Sequence, residues 1–212
     1  SAIPEKNVEC VKAVDLGVRQ LSYAEFLGEL SKTFSTIVVT GTHGKSTTTA
    51  MLALILEEAG YDPTVIVGSR VPSFPEGNLR VGSGRFFVVE GCEYKANMLK
   101  LHPEMIVLTN IEEEHLDYYR DLDHIQETFQ EFVDGLKGRG QVVWNADDVV
   151  SQKLTVTRGT TFGMKEKAEY IITHREPAPG AQTMAVSRMN AQEEILGKIK
   201  LVVPGQYNAM NA

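Results

Sequence analysis

Two textures of apolar residues follow one another along this chain. In the first, short uncharged runs rich in β-branched residues alternate with longer stretches whose apolar residues recur at helical intervals. Ser22-Tyr23-Ala24-Glu25 has the spacing of a capping box, and Phe26, Leu27 and Leu30 follow it, which predicts a helix over about 22–32. Thr36–Thr40 reads as a strand buried on both faces of a parallel sheet. A glycine-containing turn, Gly41–Ser46, separates it from a helix predicted over Thr47–Ala59. Further buried strands are expected at Thr64–Val67, Arg85–Val89, Met105–Thr109 and Gln141–Trp144, with a helix over Asp121–Leu136.

After Asn145-Ala146-Asp147-Asp148 the texture changes. Tyr170–Thr173, Thr183–Val186 and Ile195–Val203 are short β-rich segments separated by Gly, Pro and Asn. The pattern predicts an α/β fold: an open, mostly parallel P-loop-type sheet flanked by helices, with a small antiparallel β excursion near the C-terminal end.

Composition narrows the function. With 212 residues and 42% hydrophobic content the chain can fill a normal core. Its net charge of −7 argues against broad capture of a nucleic acid, so an anionic ligand needs a local positive site. Cys10 and Cys92 form neither a disulfide framework nor a zinc signature, which fits a reducing cytoplasm. The longest apolar stretch, Met51–Leu56, is far short of the roughly 20 residues of a membrane span. The chain lacks an initiating Met and stops at Asn-Ala-Met-Asn-Ala, within what reads as a starting helix, so a piece of a longer protein is expected.

The turn carries the clearest chemistry. Backbone N–H groups of a tight glycine turn, joined to the positive end of the following helix, form an anion cradle. Gly41 and Gly44 allow close approach of a phosphate, Lys45 adds a full charge, and Ser46 can offer its hydroxyl to magnesium. The standard P-loop pattern asks for a glycine where this chain has Val39, so the alternative of an ordinary strand-to-helix turn with a surface lysine stays open on spacing alone. His43 reads either as a ligand-facing or as a plain turn histidine.

Two further segments end predicted strands at the edge where open α/β sheets bind ligands. Val88-Val89-Glu90 puts a carboxylate there, and Thr109-Asn110-Ile111-Glu112-Glu113-Glu114-His115 adds an amide and an imidazole. Glu90 and His115 could hold a divalent cation. Magnesium prefers oxygen, and manganese suits a histidine ligand better. Glu112–Glu114 reads equally as a solvated acidic face. Glu93, Asp117, Asp121 and Asp123 read as caps and surface charges, and Cys92 as a small buried side chain.

Gly41–Thr49, Val89-Glu90, Thr109–Glu112 with His115-Leu116-Asp117, Asn145–Asp148, and Pro204-Gly205 with Asn208 and Asn211 together resemble, in order and spacing, the Mur ligases. Within that family the resemblance is to members that join L-alanine to UDP-N-acetylmuramate. Thr42-His43, Asn78–Gly82 and His115–Tyr119 carry it, together with the absence of lysine from 121–136. Members that attach a whole tripeptide to the same sugar are the nearest rival. Folylpolyglutamate synthase-like ligases share the turn but not the Asn-Ile-Glu and His-Leu-Asp-Tyr-Tyr segments.

The resemblance implies a three-domain ATP-dependent ligase. Residues 1–20 would be the tail of a UDP-binding domain and a linker, and 21–212 the central ATP-binding domain, without the C-terminal amino-acid domain. It implies a catalytic set of Lys45, Glu90 and His115, and nucleotide contacts from Gly41, Thr42, His43, Gly44, Lys45, Ser46, Thr47, Asn110, Asn208 and Asn211. Of two magnesium ions, one would be held by Ser46 and the second by Glu90 and His115. ATP and magnesium are the implied cofactors, UDP-N-acetylmuramate and L-alanine the implied substrates, and no oligomeric state follows. An isolated ATPase portion would bind nucleotide without turnover. The chain departs from the common pattern at Ser46, Cys92, Lys95, Glu114 and Tyr207, which bears on metal, substrate and adenine contacts.

Overall fold

A computed structural model describes residues 3–4, 6–136, 138, 140–165, 167–189 and 193–212. Its elements, in chain order, are α1 (Val8–Asp15), α2 (Tyr23–Ser31), β1 (Ser35–Thr40), α3 (Lys45–Glu58), β2 (Thr64–Ile66), β3 (Leu79–Arg80), β4 (Phe86–Glu90), β5 (Met105–Leu108), α4 (Leu122–Asp134), β6 (Gln141–Asn145), β7 (Gly159–Gly163), β8 (Tyr170–Ala178), β9 (Ala181–Met189), β10 (Glu193–Leu201) and α5 (Gln206–Asn211). Short 3-10 segments occupy Tyr94–Lys100 and Ser151–Lys153.

The strands form one sheet in the order β10-β9-β8-β7-β6-β5-β1-β4-β2-β3. From β8 through β2 every neighbouring pair is parallel, and β3, β9 and β10 join antiparallel. β1 lies between β4 and β5, with Val39 opposite both Glu90 and Val107. That register brings the ends of β1, β4 and β5 to one edge of the sheet, and the site is built there.

Alternation along the central strands sends side chains to two cores. Val38, Phe87, Val89, Ile106 and Leu108 face α2 and α4, while Val39, Val65 and Val88 pack with Ala53 of α3 on the opposite face. α4 is held by its apolar stripe of Ile125, Phe129, Phe132 and Val133, and its first turn is capped by Asp121, which accepts from His124 N at 2.8 Å. Phe129 is 1% exposed, so its truncation to alanine costs about 3–5 kcal/mol. The expected capping box exists: Glu25 N donates to Ser22 Oγ at 3.2 Å and Ser22 N to Glu25 Oε2 at 2.7 Å.

The fold class agrees with the expectation, and the details extend it. β8, β9 and β10 are each nine residues long and continue the main sheet, with β9 and β10 antiparallel as expected; the apolar runs predicted shorter strands for β8 and β9, and for β10 a strand of the same length beginning two residues later. β3, β7, α1 and the Tyr94–Lys100 turn are not signalled by the hydrophobic pattern. α1 buries no residue. Of the N-terminal segment expected to close a preceding domain, residues 1, 2 and 5 lie outside the described residues. Cys92 is exposed, because β4 has already ended at Glu90 and the chain turns outward there. No helix among the described residues is long and apolar enough to cross a membrane.

Candidate active site

The end of β1 passes into a turn that only glycine accommodates at two points. Gly41 has φ +129°, and a Cβ there would stand 2.3 Å from Thr109 Oγ1 and 2.7 Å from the carbonyl of Asn110. Gly44 has φ +86° and serves as the N-cap of α3, which no side chain caps. The first turn of a helix leaves N–H groups without intrahelical partners, so α3 presents these donors and its positive dipole end at the glycine turn. Lys45 and Ser46 are its first two residues, two positions earlier than the sequence pattern predicts, and Thr47 follows in the same turn.

Neighbouring segments fix the turn. His43 N donates to Asn110 Oδ1 and Asn110 Nδ2 donates to His43 O, both at 2.9 Å. Thr109 Oγ1 donates to the same carbonyl at 2.7 Å, Thr42 N to Asn110 O at 2.9 Å, and Glu112 N to Thr42 Oγ1 at 2.8 Å. The Asn145–Asp148 motif supports this segment in turn: Asn145 Nδ2 donates to Thr109 O at 3.1 Å, and Asp148 Oδ2 accepts from Ile111 N at 3.1 Å. The motif therefore acts through the turn's supports.

Glu90, at the end of β4, receives the Ser46 hydroxyl at 2.9 and 3.1 Å and Gly68 N at 2.7 Å. A side chain at position 68 would fill the space of this carboxylate, since a Cβ there would stand 2.9 Å from both of its oxygens. A hydroxyl and a carboxylate side by side form a hard oxygen donor set of the kind magnesium takes.

Lys45 turns inward. Its ammonium donates to Gly41 O at 2.6 Å, Thr42 O at 2.9 Å and Glu93 Oε1 at 3.0 Å. Glu93 is 4% exposed, and its Oε1 also lies 3.3 Å from His115 Nε2. The expectation of a surface charge at Glu93 is thus corrected: the chain after β4 folds back through Lys95 and Ala96, both at positive φ, and carries Glu93 under the turn. Tyr119 seals the place, donating its hydroxyl to the Glu93 carbonyl. Burial pushes the Tyr119 phenol up to about 12, so it stays a donor across the working pH range.

His115 is itself held at φ +58°, with its carbonyl accepting from Tyr118 N and Tyr119 N and its ring 4.8 Å from that of Tyr94. Among the described residues, Glu93, Glu114 and His115 place one ligand atom each within 4.8 Å of one another.

Beside the turn opens a cavity of about 410 Å³, whose lining includes His43, Asn110, Asp147, Tyr207 and Asn211. A second cavity, about 510 Å³ and mainly apolar, lies between α3, the β5–β10 part of the sheet and α5, away from Lys45 and Glu90.

Comparison with known proteins gives this geometry its context. Residues 39–212 match the Mur ligase middle domain family. The chain belongs to the Mur ligase family. The UDP-N-acetylmuramate--L-alanine ligase of Desulfitobacterium hafniense is 38% identical over all of this chain and 46% of its own length. That of Chlorobaculum tepidum is 39% identical over 99% of this chain and 44% of its own. The chain therefore spans about half the length of the curated relatives it matches. Among solved structures, the UDP-N-acetylmuramate:L-alanyl-gamma-D-glutamyl-meso-diaminopimelate ligase from Neisseria meningitides superposes with a TM-score of 0.82 at 26% identity, over 99% of this chain and 68% of its own. The UDP-N-acetylmuramate-alanine ligase of Thermotoga maritima does so at 0.79 and 28% identity, over 99% and 47%.

In this Mur ligase middle domain the residues singled out from sequence divide into groups. Gly41–Thr47, Asn110 and Glu90 converge on the turn. Asn110, however, spends both ends of its amide on His43, and the His43 ring points to Glu112, Nε2 to Oε2 being 3.6 Å. Glu90 and His115, expected to share an ion, have different partners: Ser46 and Gly68 for one, Glu93 and Glu114 for the other. Asn211 reaches the turn, its Oδ1 lying where a Cβ of Gly44 would project, whereas Asn208 donates to Pro204 O at 2.7 Å. Glu93 and Gly68 were missed. A lone carboxylate after a strand carries no signal of its burial, but a glycine two residues after β2, at the same sheet edge as Glu90, could have been suspected.

Proposed function

We propose that this chain is the ATP-binding portion of a ligase that joins L-alanine to UDP-N-acetylmuramate. The observation that carries this reading is the uncapped start of α3 behind Gly41 and Gly44, with Lys45 at its first position and Ser46 on Glu90. The names of the relatives at 38–39% identity supply the substrates.

The reaction needs an activated carboxyl group. A carboxylate oxygen of the sugar's lactyl group bonds to the γ phosphorus of ATP as the bond to the β-phosphate oxygen breaks, and ADP leaves with the electron pair. The amine of L-alanine then adds to the acyl carbon, gives up a proton, and phosphate departs. Neither step needs a protein nucleophile, so the chain's task is positioning and charge neutralisation.

Lys45 and the N–H groups of α3 would bind the β and γ phosphates. Asn110 holds the turn in shape, and Asn211 closes the side of Gly44 facing the cavity. Ser46 and Glu90 would hold magnesium, with His115 completing a second site beside Glu93 and Glu114. Magnesium, when bound, would supply positive charge to offset that of the phosphates. A ligase that uses ATP and a UDP-linked substrate would act in the cytoplasm, and binding of L-alanine would fall to regions that the relatives have beyond the half of their length that this chain matches.

A second reading has support of its own. The tripeptide-adding ligase of Neisseria meningitides superposes with the TM-score of 0.82, so the acceptor can be a peptide in place of L-alanine. Phosphate release by the full-length protein, supplied with ATP, magnesium and UDP-N-acetylmuramate, decides between them. Release on adding L-alanine and not the tripeptide supports the first reading; the reverse supports the second, and release with neither contradicts both.

A further inference from the structure

Lys45 brings the positive charge of the turn, yet its ammonium is committed elsewhere. An ammonium has three donors, and this one has three acceptors: the carbonyls of Gly41 and Thr42 and the Glu93 carboxylate. Both carboxylate oxygens lie within 3.0 Å of Nζ, and the two side chains are only 14% and 5% exposed. Glu93 Oε2 accepts no hydrogen bond of good geometry despite its burial, and Oε1 is shared with His115.

The two partners differ in freedom. Lys45 is a four-carbon stem that can swing. Glu93 is pinned through its backbone, whose carbonyl accepts from both Tyr119 Oη and Ala96 N, and it is followed by two residues in the left-handed region. A phosphate entering the turn competes with this fixed carboxylate for one mobile ammonium, and His115 remains as the partner of Glu93 once Lys45 has left.

Resting on the phosphate-site reading above, we propose that Glu93 is a positioning residue that parks Lys45 in the nucleotide-free turn, and that phosphate binding draws Lys45 from Glu93 while His115 keeps the carboxylate in place. The parked state lowers affinity for any phosphate ligand, because the pair must be broken first.

The test is titration of ADP, with a chelator present, into this chain and into Glu93→Gln. Glutamine keeps the shape and an acceptor but removes the charge, so ADP binds the variant about tenfold more tightly. A merely structural role predicts unchanged or weaker binding. In parallel, the unsubstituted chain labelled with 15N-lysine shows a slowly exchanging Lys45 ammonium signal, assigned by its loss in Lys45→Gln, that shifts on adding ADP. This measurement decides the matter if Glu93→Gln does not fold. Parent binding with no gain in a folded variant, or an ammonium signal unmoved at saturating ADP, overturns the inference alone. Absence of ADP binding to both folded chains overturns the phosphate-site reading and this inference with it.

Discussion

Asn110 and His43 exchange two hydrogen bonds of 2.9 Å, the amide of one reading both the N–H and the carbonyl of the other. The side chain thus imitates a strand partner for the middle of the glycine turn, and it ties the end of β5 to the end of β1. Both bonds are solvent-exposed, so water can replace them at small cost to folding.

Asn110→Ala is therefore expected to lower stability by about 1 kcal/mol or less, yet to weaken nucleotide binding more than that, because the turn loses its template. Asn110→Asp keeps the acceptor for His43 N but turns a lone pair toward His43 O, and is expected to bind no better than the alanine variant. Denaturant unfolding and nucleotide titration of both variants check this. An aspartate variant with parental affinity contradicts it.

The two glycines of the turn differ in what surrounds them. Gly44→Ala strains a left-handed residue at a cost of about 1–2 kcal/mol, while the atom it would strike is the movable end of Asn211. Gly41→Ala meets the backbone carbonyl of Asn110, which cannot step aside without disturbing β5. Gly41→Ala is expected to be the more destabilising in urea unfolding, and the opposite order would contradict the geometry.

Much of this arrangement was legible in the sequence, for identifiable reasons. The central strands are uncharged runs such as Thr36–Thr40, and a parallel sheet buried on both faces leaves that mark. The turn announced itself through two glycines before a lysine and a helix. Glu93 gave no such sign, since its burial depends on a tyrosine 26 residues away and on a left-handed pair at Lys95 and Ala96 that no propensity favours. β7, Gly-Thr-Thr-Phe-Gly, has no apolar run and becomes a strand through pairing with β6. The second half of β8, residues 174–178, is mostly exposed, so the hydrophobic pattern stopped at Thr173, short of the hydrogen-bonded ladder.

Acid sensitivity is expected from Asp62, between α3 and β2. The Ser83 hydroxyl and N–H donate to its carboxylate at 2.6 and 2.7 Å, Arg80 adds a third bond at 2.8 Å, and together they hold its pKa down to about 2. A lowered carboxyl pKa stabilises the fold above the unfolded value near 3.9, and that contribution disappears as pH falls through the folded value. The stability gap between the parent and Asp62→Asn should be full above about pH 4 and vanish near pH 2. Asparagine tolerates the φ of +44° found there, so the comparison isolates the charge. A gap that does not change across this window contradicts the assignment.

The central claim is that the Gly41–Ser46 turn holds the phosphates of ATP. Calorimetric titration of a non-hydrolysable ATP analogue with magnesium into this chain and into Lys45→Ala tests it most directly. The account predicts saturable binding to the parent and a loss of about tenfold or more in the variant, since a charge-assisted hydrogen bond to phosphate disappears. Equal binding by the two chains, or none by a folded parent, would contradict it.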